Sequence, residues 1–465
     1  RSVYDTADEF SYTTTQLDRR PSGPAGVSGI DAPTVTDDGA VAASVSAGMA
    51  LQKGPSIQAS YPVVQYLIGD TELNSLHLGV LGDLEGGQGR LGISLTKPQC
   101  IVILGYMGSG KSYALGVLIE NALQSSLPLV KCRRPMSVVA FNYRKNPGAR
   151  FEYTGYSQPN ANPDETRELA ARYGAHPSAI DLVNVFGYGP ELRRRQDEYK
   201  GVSTYPIQFR PDELGAEHWE ILMKPPSLQT EYMDIIRDII KTLYYEDRLT
   251  FRNLENYILN DSRLTESQRA KAKNRLGFAK NWLADDRSYE WRDLLDEGSL
   301  NVFDLRMQTM TSDEALRLCL VITDLVRRTN NGVNKMIVFD EAHEYVDSKE
   351  LVEELENAIT QIRHDGLSFV LASQFPERIP DRLFKYLATR FVFKLPTAKA
   401  INYLQRMAPN LRELSASQVA NLGLEKGICF VQTDDDCTNS LLSKPQLLRV
   451  RPRCSHHGGA TVRHS

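Results

Sequence analysis

Hydrophobic and polar positions fall into two textures along this chain. Cys100-Ile101-Val102-Ile103-Leu104 is apolar throughout, as expected of a strand buried on both faces of a parallel sheet. Ser137–Phe141, Leu182–Phe186, Leu300–Phe303, Met336–Phe339, Ser368–Leu371 and Phe391–Leu395 are further buried-strand candidates. Helical patterns separate several of them. One helix is predicted from Lys111 to about Gln124. Another runs from Lys349 to about His364, with Leu351, Leu355, Ala358, Ile359 and Ile362 on one face. Such strand–helix alternation predicts an α/β fold with a mostly parallel sheet covered on both sides.

The pattern also sets the organisation. Residues 1–60 are rich in Ser, Thr, Ala, Gly, Pro and Asp, with turn signals at Pro21-Ser22-Gly23-Pro24 and Asp37-Asp38-Gly39. They read as a flexible arm. Residues 61–98 alternate short apolar runs with Gly and Asp, including Gly86-Gly87-Gln88-Gly89, and read as a short β-rich segment with a hairpin. Residues 99–226 and 298–440 form the two parts of the α/β core. Between them, residues 227–297 turn helical, with Met233, Ile235, Ile236, Ile239, Ile240 and Leu243 at helical spacing. That stretch reads as a helical insertion, and residues 441–465 as a basic C-terminal tail.

Composition narrows the classes. The 465 residues carry 54 Lys+Arg against 58 Asp+Glu, a net charge of −4. This excludes a wholly basic surface and leaves room for a local basic groove or pore. No run of about 18 uncharged apolar residues is present, so no integral membrane segment is expected. The chain begins with Arg1 rather than Met and reads as a fragment or processed product. Its six cysteines include no CxxC pair, which disfavours a disulfide scaffold or zinc ribbon and fits a cytoplasmic compartment. Cys454 with His456, His457 and His464 lacks a second ligand pair, so a disordered end is the simpler reading.

The chemistry concentrates in two motifs. Gly105-Tyr106-Met107-Gly108-Ser109-Gly110-Lys111-Ser112 matches the P-loop pattern G-x-x-x-x-G-K-[ST] between a strand and a helix. Glycines let backbone N–H groups point at phosphate oxygens, and the following helix presents its positive end to the same anion. Lys111 adds a point charge, and Ser112 offers a hydroxyl to Mg²⁺. The expected nucleotide contacts are Gly105, Met107, Gly108, Ser109, Gly110, Lys111, Ser112 and the next residue, Tyr113. The second motif is the apolar strand ending in Asp340-Glu341. Asp340 is the expected magnesium partner with Ser112, and Glu341 the base that polarises the attacking water. ATP and Mg²⁺ are therefore the expected cofactors.

Asp340-Glu341-Ala342-His343 spells the DEAH box of one helicase group, but the interval from the P-loop is longer and the group's other motifs are missing. No LSGGQ-like stretch supports an ABC-type cassette. Downstream, Ser368–Leu371 runs on into Ala372-Ser373-Gln374. If this strand lies beside the acidic one, Gln374 reaches the γ-phosphate position as a sensor; a plain polar strand end is the alternative. Arg363 closes its helix before Asp365-Gly366 and is either a dipole partner or an arginine reaching a neighbouring subunit's phosphate.

The order Gly105–Ser112, Asp340-Glu341-Ala342-His343, Gly366-Leu367-Ser368, Ser373-Gln374 resembles the HerA-FtsK superfamily of P-loop motors. It is most similar to the HerA branch and its relatives among conjugation and type IV secretion ATPases. The resemblance spans about Leu76 to Gln432 and includes a closing Gly427–Val431 strand. It implies a RecA-like P-loop NTPase core that assembles into a homo-hexamer and hydrolyses ATP between subunits to move a polymer. By position it assigns catalytic roles to Lys111, Glu341, Gln374 and, as a trans finger, Arg363. His364 stands where the family usually has Lys, and Asn142 where an Asp is common.

Three functions follow. The first is a DNA translocase, or helicase-like motor, working with a partner nuclease or another effector. The second is a conjugation or secretion ATPase moving protein or DNA–protein cargo. The third is a nucleotide-gated assembly module, against which the intact Glu341 argues. Lys131–Arg134, Arg193-Arg194-Arg195 and Arg449–Arg453 are the basic clusters available to a DNA backbone, without base readout. The middle one reads as a pore-lining loop or as a solvated loop.

Overall fold

The computed structural model describes residues 62–125, 128–144, 152–199, 201–223, 231–284, 286–307, 309–345, 349–395, 397–422 and 427–458. The arm expected over 1–60 lies outside them. All belong to one compact unit, Ile57–Ser465.

Among the described residues, fourteen strands form one sheet. In chain order they are β1 (Tyr66–Ile68), β2 (Leu78–Leu84), β3 (Gly89–Ser94), β4 (Cys100–Leu104), β5 (Val130–Lys131), β6 (Ser137–Asn142) and β7 (Leu182–Gly187). They continue as β8 (Ser203–Pro206), β9 (Ser299–Asp304), β10 (Lys335–Asp340), β11 (Ser368–Ser373), β12 (Thr389–Val392), β13 (Ile428–Thr433) and β14 (Gln446–Val450). The sheet order is β1-β3-β2-β14-β13-β12-β4-β11-β10-β6-β9-β7-β8, with β5 paired to β2. From β12 to β8 every pairing is parallel, whereas β12, β13, β14, β2 and β3 pair antiparallel in turn.

The uniformly apolar strands are buried on both faces, as their sequences require. Ile101 and Ile103 of β4 join Met336 and Val338 of β10 in the core under the helix Lys111–Leu123. Val102 and Leu104 join Ile337 and Phe339 in the opposite core, with the helices Ser312–Arg328 and Lys349–His364 and the helices Ala216–Met223, Glu231–Tyr245, Phe251–Asn260 and Glu266–Lys280. Alternation of side chains along a strand sends neighbours to opposite layers. Phe186, Phe303, Tyr289 and Trp291 stack at one end of that second core. The sheet, its parallel register and its two helical layers are those of an α/β RecA-like P-loop NTPase core.

Three local expectations change. The strand expected at Phe391–Leu395 starts two residues earlier, at Thr389, and ends at Val392. Its polar start is satisfied across the sheet: Thr389 and Thr433 share a hydrogen bond, and Arg390 pairs with Gln432 and Asp434. Arg193-Arg194-Arg195 is not a loop. It lies in the helix Leu192–Glu198, where Arg195 is buried against Asp304 at 3.3 Å and Glu198 at 3.1 Å. The last stretch is described through Gly458 and packs on the core. Arg451 and Arg453 are fully buried against Glu120 of the helix Lys111–Leu123, so two members of the last basic cluster face the core. All six cysteines are free thiols. Among the described residues, no helix is long and apolar enough to cross a membrane.

Candidate functional site

Parallel strands deliver their carboxyl ends to one edge, and four neighbouring strands meet there. β4 leads into Gly105–Lys111, β11 ends at Ser373, β10 at Asp340 and β6 at Asn142. The register sets Asp340 beside Asn142 and Ser373 beside Leu104. A single strand, β11, thus separates the glycine-rich turn from the acidic pair.

The turn is fastened from both sides. Gly105 N–H donates to Ser373 O at 3.2 Å, and Tyr106 N–H donates to Lys394 O at 2.9 Å. Inside the loop, Ser109 Oγ donates to Tyr106 O at 2.7 Å. A Cβ on Gly105 would stand 2.5 Å from Phe393 and 2.6 Å from Ser109 Oγ, so no larger residue fits. Gly108 and Gly110 have φ of 79° and 108°, in the region that favours glycine. A Cβ on Gly108 would meet nothing within 4 Å. The loop therefore curls around open space at the start of a helix whose first-turn N–H groups lack intrahelical partners.

Lys111 turns toward the acids. Its Nζ lies 3.2 Å from Glu341 Oε1 and 3.6 Å from Asp340 Oδ1, and all three side chains are at most 5 % exposed. Gln374 Nε2 donates to Glu341 Oε1 at 2.7 Å, and Arg144 Nη2 stands 3.6 Å from the same oxygen. Burial pushes the Glu341 carboxyl up, but Lys111, Arg144 and Gln374 together hold it below its ordinary value. The other oxygen, Oε2, is buried and accepts no hydrogen bond among the described residues. His343 Nδ1 stands 3.5 Å from it, and burial pushes that imidazole down to about 4, so it is neutral at working pH. Glu341 itself adopts φ 51°, ψ 47°, a left-handed conformation; its N–H donates to Asp340 Oδ1 at 3.0 Å.

Lys111, Asp340, Glu341 and Gln374 thus converge, with Ser112 one residue along the helix. Tyr113 and Arg363 complete the expected set. Tyr113 Oη donates to Glu165 at 2.9 Å and accepts from Arg453 N–H at 2.9 Å, so its hydroxyl is committed to the protein. Arg363 lies in the last turn of its helix; its side chain lies outside the described residues. Arg144 and the buried Asn142 were not anticipated as site members. Their signal is positional: Asn142 closes β6, the strand beside the acidic one, and Arg144 lies two residues beyond it.

The donor set fits a magnesium nucleotide. The open curl at Gly108 and the cation Lys111 suit phosphate, the Asp340 carboxylate and Ser112 hydroxyl suit a hard cation, and Glu341 Oε2 suits a water proton. A second acidic cluster, Glu217, His218 and Asp324, does not fit a metal. Its carboxylates already pair with Arg327 and Arg328, and both His218 nitrogens are hydrogen-bonded.

No protein-family model matches the sequence, and no curated protein matches it. Solved structures do. The structure of VirB4 of Thermoanaerobacter pseudethanolicus aligns with a TM-score of 0.51 at 14 % identity, over 82 % of this chain and 98 % of that one. An unbound form of the bacterial conjugative coupling protein TrwBΔN70 aligns at 0.50 and 12 % identity, over 84 % of this chain and 93 % of that one. At such identities the likeness is one of fold, and the fold is the one the motifs implied.

Proposed function

We propose that this chain is an ATP-hydrolysing motor of the HerA-FtsK type, which works as a ring of its own copies and translocates double-stranded DNA. The observation that carries the reading is Glu341: one oxygen is anchored by Lys111 and Gln374, the other is buried and unoccupied by any donor among the described residues. A carboxylate so held has one oriented lone pair to offer a water.

In this reading the N–H groups and Lys111 bind phosphate, and Ser112 and Asp340 hold the cation. The bound Mg²⁺–ATP supplies an electrophilic γ-phosphorus. Glu341 takes the proton from the attacking water through Oε2, and Gln374 fixes the carboxylate and spans the gap between the acidic strand and the P-loop strand. Neutral His343 brings no imidazolium charge to pair with Oε2 ahead of the water. Arg363 serves the neighbouring copy's site. The free thiols suit the cytoplasm, and a partner nuclease or other effector would use the movement.

The names of the two structural neighbours favour a second reading, an ATPase of conjugation or secretion that moves protein or DNA–protein cargo. The test is ATP hydrolysis by the purified chain with and without linear double-stranded DNA, alongside Glu341→Gln. The translocase reading expects stimulation by DNA and a loss of roughly 10²–10⁴-fold in Glu341→Gln. Hydrolysis indifferent to DNA favours the secretion reading. An assembled ring without hydrolysis overturns both.

A further inference from the structure

Asn142 closes β6 and is fully buried. Neither its Oδ1 nor its Nδ2 has a hydrogen-bond partner among the described residues. Buried side-chain amides are almost always satisfied, and leaving one unmet costs stability. Leu305 N–H uses only the Asn142 backbone carbonyl, at 2.8 Å, so the local fold does not need the amide.

Its neighbour gives the amide a purpose. Asn142 is the register partner of Asp340 on the adjacent parallel strand. Register partners project to the same face, with backbones about 5 Å apart. The face is that of the helix Lys111–Leu123, because Val138 and Ala140, at the same parity, line the core beneath that helix. An amide with both groups free, beside a carboxylate and below the P-loop, offers a donor and an acceptor to a water, which would accept from Nδ2 and donate to an Asp340 carboxylate oxygen. Buried waters typically make about three such bonds.

We infer that Asn142 is a positioning residue of the hydrolytic site, holding jointly with Asp340 a water of the divalent cation's hydration shell. The inference rests on the nucleotide-hydrolysis reading and adds a member to its cation site. Groups that orient a metal's outer shell commonly change metal affinity by 10–100-fold when removed, on the order seen for second-sphere partners. A merely structural asparagine would behave in the opposite way, since its removal would cost stability and leave the cation untouched.

The test uses the full chain with Asn142→Leu, close in shape, and Asn142→Ala, which separates overpacking from lost hydrogen bonds. Three quantities are read: the melting temperature without nucleotide, the affinity for fluorescent ATPγS in EDTA, and the Mg²⁺ midpoint for tightening that binding. The expected result is a melting temperature unchanged or about 1–4 °C higher in Asn142→Leu. Metal-free nucleotide affinity stays within about twofold while the Mg²⁺ midpoint rises roughly tenfold or more. Melting temperatures lowered in both variants, or a Mg²⁺ midpoint unchanged, overturn the inference. A lower hydrolysis rate at unchanged Mg²⁺ midpoint also overturns it, because the water would then belong to Glu341. If the unmutated chain binds no nucleotide, the hydrolysis reading itself fails; if it binds and the variants match it, only the role of Asn142 does.

Discussion

The backbone of Glu341 turns left-handed between a buried strand and a short helical turn, a conformation that costs a non-glycine residue about 1–3 kcal/mol. Such a state persists only where the surroundings over-determine it. Here Asp340 receives the Glu341 N–H, and Glu344 N–H donates to the Glu341 carbonyl at 2.8 Å. The side chain is set by Lys111, Gln374 and Arg144 on a single oxygen. When Lys111 serves phosphate, Gln374 and Arg144 remain as the anchors of the carboxylate. Gln374→Ala and Arg144→Ala are each expected to lower kcat by roughly 10–100-fold, the cost of a misplaced catalytic group. KM should move much less, because neither anchor touches phosphate in this reading. Steady-state kinetics checks this, and a raised KM at unchanged kcat would make Arg144 a nucleotide ligand. Residues of this kind differ in how far the sequence shows them. Lys111 and Glu341 stand in recognisable strings, whereas Arg144 acquires meaning only when β6 lies beside β10.

At the scale of elements, the helix Lys111–Leu123 is gripped from behind by the end of the chain. Glu120 accepts from Arg451 at 2.9 Å, from Ser455 N–H at 2.8 Å and from Ser455 Oγ at 2.6 Å, with no exposure to solvent. Gly116 makes the grip possible, since a Cβ there would stand 2.6 Å from the Arg453 guanidinium. Removing one partner of a buried ion pair leaves the other uncompensated and typically costs about 3–5 kcal/mol. Glu120→Ala is expected to destabilise by that order, measured by denaturant unfolding. Burial alone would raise the Glu120 carboxyl, but Arg451, Arg453 and Ser455 hold it below the ordinary value. A lowered folded-state pKa means stability that is present above the unfolded carboxylate value and lost as pH falls below it. Glu120→Gln should therefore flatten the loss of stability between neutral pH and the acid side of the carboxylate range. None of this is visible locally. Arg451 and Arg453 look like surface charges beside Pro452, and their partner is more than three hundred residues away. Arg195 hides its role for the same reason, since its partner Asp304 is more than a hundred residues away. By contrast the apolar run Cys100–Leu104 carries its own burial, so the central strands and the P-loop helix were legible from pattern alone.

At the scale of the molecule, the site gathers Lys111, two acids, Gln374 and Arg144 at one sheet edge, with Arg144 set against Glu341; on the motor reading a second positive charge meets the γ-phosphate from outside. The resemblance supplies one from the neighbouring copy, Arg363, and an arginine of this kind is worth roughly 10³–10⁵ in rate. If the chain works as a ring, Lys111→Ala and Arg363→Ala damage opposite sides of each interface. Both homogeneous variants should be inactive, the first because phosphate is not held, the second because the charge does not arrive. Arg363→Ala should still bind nucleotide and assemble, since its own P-loop is intact. Mixed before assembly, the two should regain part of the hydrolysis. An intact P-loop from one copy then faces an intact arginine from the next, an interface neither variant forms alone. Recovery that appears on mixing and depends on the ratio of the two establishes both the shared site and the side from which Arg363 acts. Assembly without recovery would place Arg363 in its own subunit, as a partner of its helix end, and the second positive charge would have to come from another residue.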